Sequence, residues 1–296
     1  MSGVPSFFPA AQERIDRALE QATAAEFDGP PVVREAMRYT LLAPSKRVRA
    51  MLTLVACDLC GGPSPAVGAG GDAVAAAVAV EMVHASSLIL DDLPSMDDAP
   101  LRRGRPSCHV QFGEAVAVLG AFGLLSDAYG VIAGAYDGPL SRDLTALLSS
   151  AIGSDGLIAG QAEDLLATDS AIGFETLERI HRRKTGALFS AAAIAGARVA
   201  GARDERLRAL EAYAKNVGLA FQIVDDLLDV TGDPADTGKA ARADARKTTF
   251  VSFSGVDGAR ELAMELCRTA DAALRPFGTK AAPLLELSAF VAGRRL

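Results

Sequence analysis

The chain has no tryptophan, four tyrosines, four cysteines and three histidines in 296 residues. Aromatic residues make up 5% of it, whereas 50% is hydrophobic, much of that in alanine, leucine and valine tracts. β-Sheets favour aromatic and β-branched side chains, so this composition points to closely spaced helices. The cysteines (Cys57, Cys60, Cys108 and Cys267) are too few and too scattered for a disulfide framework. Cys57-x-x-Cys60 lacks the second close pair that a zinc site needs, and all four are expected to be buried thiols. No uncharged run reaches the roughly 18 residues of a membrane span. The longest, residues 115–126 and 186–197, have the length of a core helix. The opening MSGVPSFFPAAQER has neither the basic nor the apolar part of a signal peptide. The expectation is therefore a cytoplasmic protein without an integral membrane segment. A net charge of −7 leaves no domain-wide basic surface, which excludes nucleic acid as a bulk partner. Any anionic ligand must meet local groups of lysine and arginine.

Helical periodicity runs throughout. The apolar stretches at residues 40–42, 51–57 and 74–90 contain no Asn-Gly or Asp-Gly hairpin turn. Glycine and proline punctuate the chain at residues 61–65, 94–106, 136–139 and 231–247, with helix-length segments between. No polar linker divides residues 1–296, which read as a single all-α domain.

Acidic residues cluster twice. Asp91 and Asp92 close the apolar run HASSLIL, and Pro94 should end that helix near Leu93. On a continuous helix Asp97 would point away from Asp91, but the Pro94 bend brings it back. The second cluster, Asp225-Asp226-x-x-Asp229, lies 134 residues later among Phe221, Ile223, Val224, Leu227 and Leu228. Asp225 and Asp229 share one helix face a turn apart, an arrangement that destabilises a bare helix. Carboxylates without interleaved histidine or cysteine indicate Mg2+ rather than zinc. Gln222 precedes this cluster by one turn and offers a neutral amide to the same cavity.

Basic residues recur as Lys46-Arg47-x-Arg49, Arg102-Arg103, Arg182-Arg183-Lys184, and Lys239 with Lys247. Each group alone fits a solvated face; together with the acidic clusters they fit polyanionic phosphates. There is neither a phosphate-binding Gly-x-x-x-x-Gly-Lys loop nor a dinucleotide glycine fingerprint, which favours diphosphate over nucleotide. His84 stands on the same helical stripe as Asp91, seven residues away, and in this company reads as a ligand contact.

These motifs resemble the trans-polyprenyl diphosphate synthases. The similarity is carried by Asp91-Asp92-x-x-x-x-Asp97, Leu101-Arg102-Arg103-Gly104 and Phe221-Gln222-x-x-Asp225-Asp226-x-x-Asp229. It extends to Ser45-Lys46-Arg47-Val48-Arg49, Gly160-Gln161-x-x-Asp164, Lys184-Thr185-Gly186 and Gly238-Lys239, in order over residues 30–255. The four-residue insert in the first motif is most similar to bacterial, carotenoid-type geranylgeranyl diphosphate synthases.

The resemblance implies an all-α isoprenoid synthase bundle around a central apolar cavity, usually a homodimer. It implies Mg2+ on Asp91, Asp97 and Asp225, with Asp92 and Asp229 supporting and Asp226 among the catalytic residues. Arg102, Lys184 and Lys239 would hold the allylic diphosphate; Ser45, Lys46, Arg49, His84 and Arg103 would hold isopentenyl diphosphate. Thr185 and Gln222 would face the developing allylic cation. Chain length would be set below Asp91, where Ser86 and Ser87 are small and Val83 is medium-sized, so growth should pass fifteen carbons and stop at twenty. Within the family a farnesyl diphosphate synthase is the alternative product class. A terpene cyclase would need no second diphosphate site, and a silent partner subunit would typically lack one acidic motif. Ser45 stands where the family usually has glycine, Ala50 where it has proline, and Ala121-Phe122 where Gly-Asp is common; Pro100 before the arginine pair is unusual.

Overall fold

A computed structural model describes residues 5–24, 28–61, 72–231 and 247–293. In chain order the helices are α1 (Phe8–Ala22), α2 (Pro31–Leu41), α3 (Val48–Leu59) and α4 (Val74–Asp91), then a two-stranded ribbon, β1 (Leu101–Arg102) and β2 (Arg105–Pro106). There follow α5 (Cys108–Phe112), α6 (Glu114–Ala135), α7 (Gly138–Ile152), α8 (Leu157–Ala167) and α9 (Phe174–His181). A π-helical turn (Arg182–Gly186) leads into α10 (Ala187–Val199), followed by α11 (Asp204–Thr231), α12 (Phe250–Ala273), a 3₁₀ segment (Arg275–Ala281) and α13 (Ala282–Ala292).

Proline opens several of these helices (α1, α2, α7 and α13), where its missing N–H has no intrahelical partner to lose. α4, α3 and α10 are apolar around nearly their whole circumference and form the centre, with α6, α11 and the terminal helices around them. A smaller cluster (Leu177, Leu219, Ile223, Val224, Leu227 and Phe250) joins α9, α11 and α12 beneath the second acidic motif. Alanine and glycine let the central helices approach closely: a Cβ on Gly196 of α10 would stand 1.9 Å from the Thr53 carbonyl oxygen of α3.

Two expectations need qualification. The ribbon is a strand pair where helices alone were expected, and its turn residues Arg103 (φ 54°) and Gly104 (φ 72°) adopt the left-handed conformation of a tight hairpin. Val74–Asp91 and Glu114–Ala135 are long and apolar enough, by length and composition, to cross a membrane. Counting uncharged runs missed them because single carboxylates, Glu81 and Asp127, interrupt their apolar lengths. α4 is mostly buried in the bundle, whereas α6 keeps one apolar face open, with Phe122 62% exposed. The four cysteines are free and buried as expected; burial pushes Cys57 and Cys267 up to about 12 and Cys108 to about 11.

Gly196→Ala should lower stability by about 3 kcal/mol, because its new methyl meets backbone rather than a movable side chain. Urea unfolding would register this, and an unchanged midpoint would refute the close α3–α10 crossing.

Candidate active site

α4 ends at Asp91, and the chain then curls back on itself. The Asp97 N–H donates to the Asp91 carbonyl at 3.0 Å and the Ala99 N–H to that of Asp92 at 3.2 Å. The turn at Pro94 thus returns Asp97 to Asp91, as the proline spacing required. Asp92 turns inward, where Arg102 grips both oxygens, its Nε at 3.0 and 3.1 Å, and Nη2 bonds one of them as well. Burial opposes the charge on Arg102, but Asp92 outweighs it and holds the guanidinium above its ordinary range.

The π turn supplies the next cation. Lys184 Nζ lies 2.8 Å from Asp164 Oδ2 and 3.5 Å from Asp91 Oδ2. Lys247 Nζ lies 2.8 Å from Asp97 Oδ1 and 3.0 Å from the same Asp164 oxygen. Burial raises the Asp164 carboxyl, but the two lysines outweigh it and hold it below its usual value. α8 reaches this turn through Gly160, whose missing Cβ would stand 2.3 Å from the Lys184 nitrogen. Single π turns of this kind often serve functional sites.

The opposite wall is α11. Thr185 Oγ1 donates to Gln222 Oε1 at 3.1 Å, Gln222 Nε2 donates to Asp226 Oδ1 at 3.1 Å, and the Phe250 N–H donates to Asp226 Oδ2 at 3.1 Å. Asp226 is 4% exposed and faces inward, fastening α11 to the start of α12 and to Gln222. Its helix phase explains this: Asp225 and Asp229 share one face, and Asp226 is turned about 100° from Asp225. Through these bonds Asp226 positions Gln222 and the start of α12.

A second basic group sits at the start of α3. Arg47 (φ 48°) is left-handed, and its buried guanidinium bonds Glu81 at 3.4 Å, Asp16 at 2.8 Å and the Ala43 carbonyl at 3.3 Å. Glu81 also accepts the Ala50 N–H at 3.2 Å, a bond a proline at position 50 could not make. This clamp fixes Arg49, whose guanidinium lies 4.6 Å over the Phe189 ring and 3.2 Å from His84 Nε2. Arginine has only donors, so His84 accepts through Nε2 and is neutral. Burial and the surrounding Arg49, Arg103, Arg102 and Arg47 push it far below the usual histidine value. Burial pulls Arg49 down to about 10, against Glu81 and Asp225. Arg103 Nη1 reaches the Ala43 carbonyl at 3.4 Å, and Lys46 Nζ stands 5.0 Å over the Phe290 ring. Among the described residues, buried Arg49 Nε and Ser45 Oγ have no hydrogen-bond partner, two unsatisfied donors suited to an anion.

Residues 30–267 match the model of the polyprenyl synthetase family. The chain belongs to that family. It is 44% identical over 287 residues to the chloroplastic geranylgeranyl pyrophosphate synthase of Catharanthus roseus, covering 95% of this chain and 78% of that one. It is 44% identical to geranylgeranyl pyrophosphate synthase 11 of Arabidopsis thaliana, covering 98% and 82%. An FPP/GFPP synthase from Zymomonas mobilis superposes with a TM-score of 0.83 at 34% identity, covering 96% of each chain. A geranyltransferase from Helicobacter pylori, complexed with magnesium and isoprenyl diphosphate, gives 0.83 at 31%, covering 97% and 95%. The all-α architecture and the trans-prenyltransferase class follow from these matches.

Within this family member, Asp91, Asp97, Arg102, Lys184, Thr185 and Gln222 gather at one cleft, and the Thr185–Gln222 bond joins its two walls. Helix phase puts Asp225 and Asp229 on the face of α11 that carries Gln222; Lys239 lies outside the described residues. Ser86 departs from its expected place. It is 4% exposed and donates to the Ala121 carbonyl of α6 at 2.8 Å, so it packs α4 on α6. Ser87 is the half-buried serine on the Asp91 side, whereas Val83 is fully buried. Asp164 and Lys247 were visible in the motifs but carried no assigned role; their pairing across 83 residues has no signal in spacing.

His181 was also missed. Its ring packs 5.3 Å from that of Phe250 behind the lysines, and burial pulls it down to about 4. A folded value below the unfolded value of about 6.5 means that this contribution is present above pH 6.5 and lost as pH falls toward 4, up to about 3 kcal/mol. His181→Phe should therefore flatten the decline in unfolding free energy between pH 7 and 5. Parallel declines in wild type and variant would refute it.

Proposed function

We propose that the chain condenses isopentenyl diphosphate with allylic diphosphates, using Mg2+, and releases mainly geranylgeranyl diphosphate. One observation carries this reading: the cleft has two separate cationic groups. Arg102, Lys184 and Lys247 stand among the aspartates, whereas Arg49, beside His84, belongs to a second basic group at the start of α3, where Arg49 Nε and Ser45 Oγ are buried donors without a partner among the described residues. Two diphosphates need two such groups; a terpene cyclase needs one.

The donor set fits a hard cation, since it consists of carboxylates without imidazole or thiol. Among the described residues no three acidic side chains close around one point, because Lys184 and Lys247 stand between them. Asp91, Asp97 and Asp225 would hold the metal, which when bound neutralises charge on the departing diphosphate. Lys184 and Arg102 hold the allylic diphosphate while its carbon–oxygen bond breaks and the electron pair leaves with oxygen. The Thr185 hydroxyl, fixed by Gln222, faces the allylic cation, and Arg49 with Ser45 orients the second substrate so that its double bond attacks the cationic carbon. A proton is then lost to the released diphosphate. His84 does not serve as base, because its acceptor nitrogen is engaged by Arg49.

Twenty carbons is supported by the small Ser87 on the Asp91 side of α4 and by the products in the relatives' names. A homodimer belongs to the same proposal, supported by the open apolar face of α6 around Leu119 and Phe122.

Purified protein with Mg2+, labelled isopentenyl diphosphate and each allylic primer should yield a twenty-carbon diphosphate by mass spectrometry. A fifteen-carbon end product would overturn the length, and no condensation would overturn the function. Asp91→Ala should cut turnover by orders of magnitude with helicity retained; near-normal turnover would remove it from the metal site. Ser87→Phe should shift the product toward fifteen carbons with chemistry intact. Unchanged length in an active Ser87→Phe enzyme would exclude that wall.

A further inference from the structure

Lys247 reaches the first acidic motif from far along the chain. Its ammonium bridges Asp97 Oδ1 (2.8 Å) and Asp164 Oδ2 (3.0 Å), and Lys184 shares that Asp164 oxygen (2.8 Å) on its way to Asp91 (3.5 Å). Asp91, Asp164 and Asp97 are therefore strung together by two ammonium groups. Among these side chains and the Asp92–Arg102 pair there is only one more carboxylate than cation. Little uncompensated charge is left to strip water from Mg2+, which dehydrates reluctantly.

An ammonium 2.8 Å from a carboxylate oxygen sets a positive charge beside the place a metal would take at the roughly 2.1 Å of an inner-sphere bond, so lysine and metal compete for the same motif. A diphosphate gives that lysine a stronger acceptor, with more charge and more oxygens than a single carboxylate. We propose that Lys247 is an internal counter-ion of the first acidic motif, released when a diphosphate binds, so that the motif takes its metal together with substrate rather than before it. This rests on the reading of the aspartates as a metal site. Lys247 is a positioning residue here, since it acts through Asp97 and Asp164. The arrangement would keep the free enzyme folded around neutralised carboxylates at any metal concentration. It would also keep the metal-loaded cleft for the state that holds a leaving group.

The test is Mn2+ binding to the full-length chain without any diphosphate, read by electron paramagnetic resonance of free Mn2+. Lys247→Met, which keeps most of the aliphatic stem, should tighten one Mn2+ equivalent at least tenfold over wild type. Lys247→Arg should restore weak binding. Lys215→Met, which removes a surface charge paired with Glu211 on α11, should leave it unchanged. A side chain that merely braces the fold would weaken binding when removed. Equal affinity in wild type and Lys247→Met, or an equal gain in Lys215→Met, would overturn the proposal. Should Lys247→Met melt below the assay temperature, Lys247→Gln gives the same comparison. No binding in any variant would count against both the counter-ion and the metal site, whereas a product assay that fails while Lys247→Met gains Mn2+ would count against the function alone.

Discussion

Like charges gathered in a half-buried cleft repel, and the structure is organised around offsetting that repulsion. Burial raises the carboxyl of Asp91, and its neighbour Asp97 raises it further, so without compensation the first motif would hold protons instead of charge. Compensation comes from three separate parts of the chain: Arg102 on the ribbon, Lys184 on the π turn and Lys247 before α12. Two of these cations stand on bent backbone, Arg102 in the hairpin turned by Arg103-Gly104 and Lys184 in the π turn, and the bend after Pro94 brings Asp97 back to meet the third. Departures from regular backbone thus concentrate where charge must be brought together.

The second basic group solves the opposite problem, cations crowded without acceptors. Arg47 spends its donors on Glu81, Asp16 and a carbonyl, and takes a left-handed conformation that a non-glycine residue normally avoids. That buried pair clamps α3 to α4, so Arg49 and Ser45 present donors that none of the described residues satisfies. Leaving such donors unmade carries a free-energy cost of about 1–3 kcal/mol each, which an arriving anion removes.

The helices and their ends were legible because they depend on local rules. Pro94 ended α4 and returned Asp97; the four-residue spacing put Asp225 and Asp229 on one face. What was not legible depends on neighbours distant in sequence. Asp164 meets Lys247 across 83 residues, and the orientation of Asp226 is decided by the amide of Phe250. Ser86 and Ser87 are adjacent and chemically identical, yet Ser86 bonds α6 whereas Ser87 bonds back to the His84 carbonyl of its own helix. The π turn has no signature in the composition of Arg182-Arg183-Lys184-Thr185-Gly186 beyond its basic run. Long apolar helices were underestimated because Glu81 interrupts a sequence run without leaving the core.

Linkage between the two walls follows from one continuous chain of contacts. Asp91 meets Lys184, the next residue Thr185 bonds Gln222, Gln222 bonds Asp226, and Asp226 receives the first amide of α12. Lys247 precedes that amide by three residues and returns to Asp97. The circuit therefore closes on the first motif, so moving any one member displaces both walls. A side chain that only filled space would transmit nothing, whereas directional bonds between buried groups have few alternative arrangements. The separation of the two acidic walls is thus fixed by polar contacts over a packed core, and a ligand that redirects Lys184 or Lys247 acts on both walls at once.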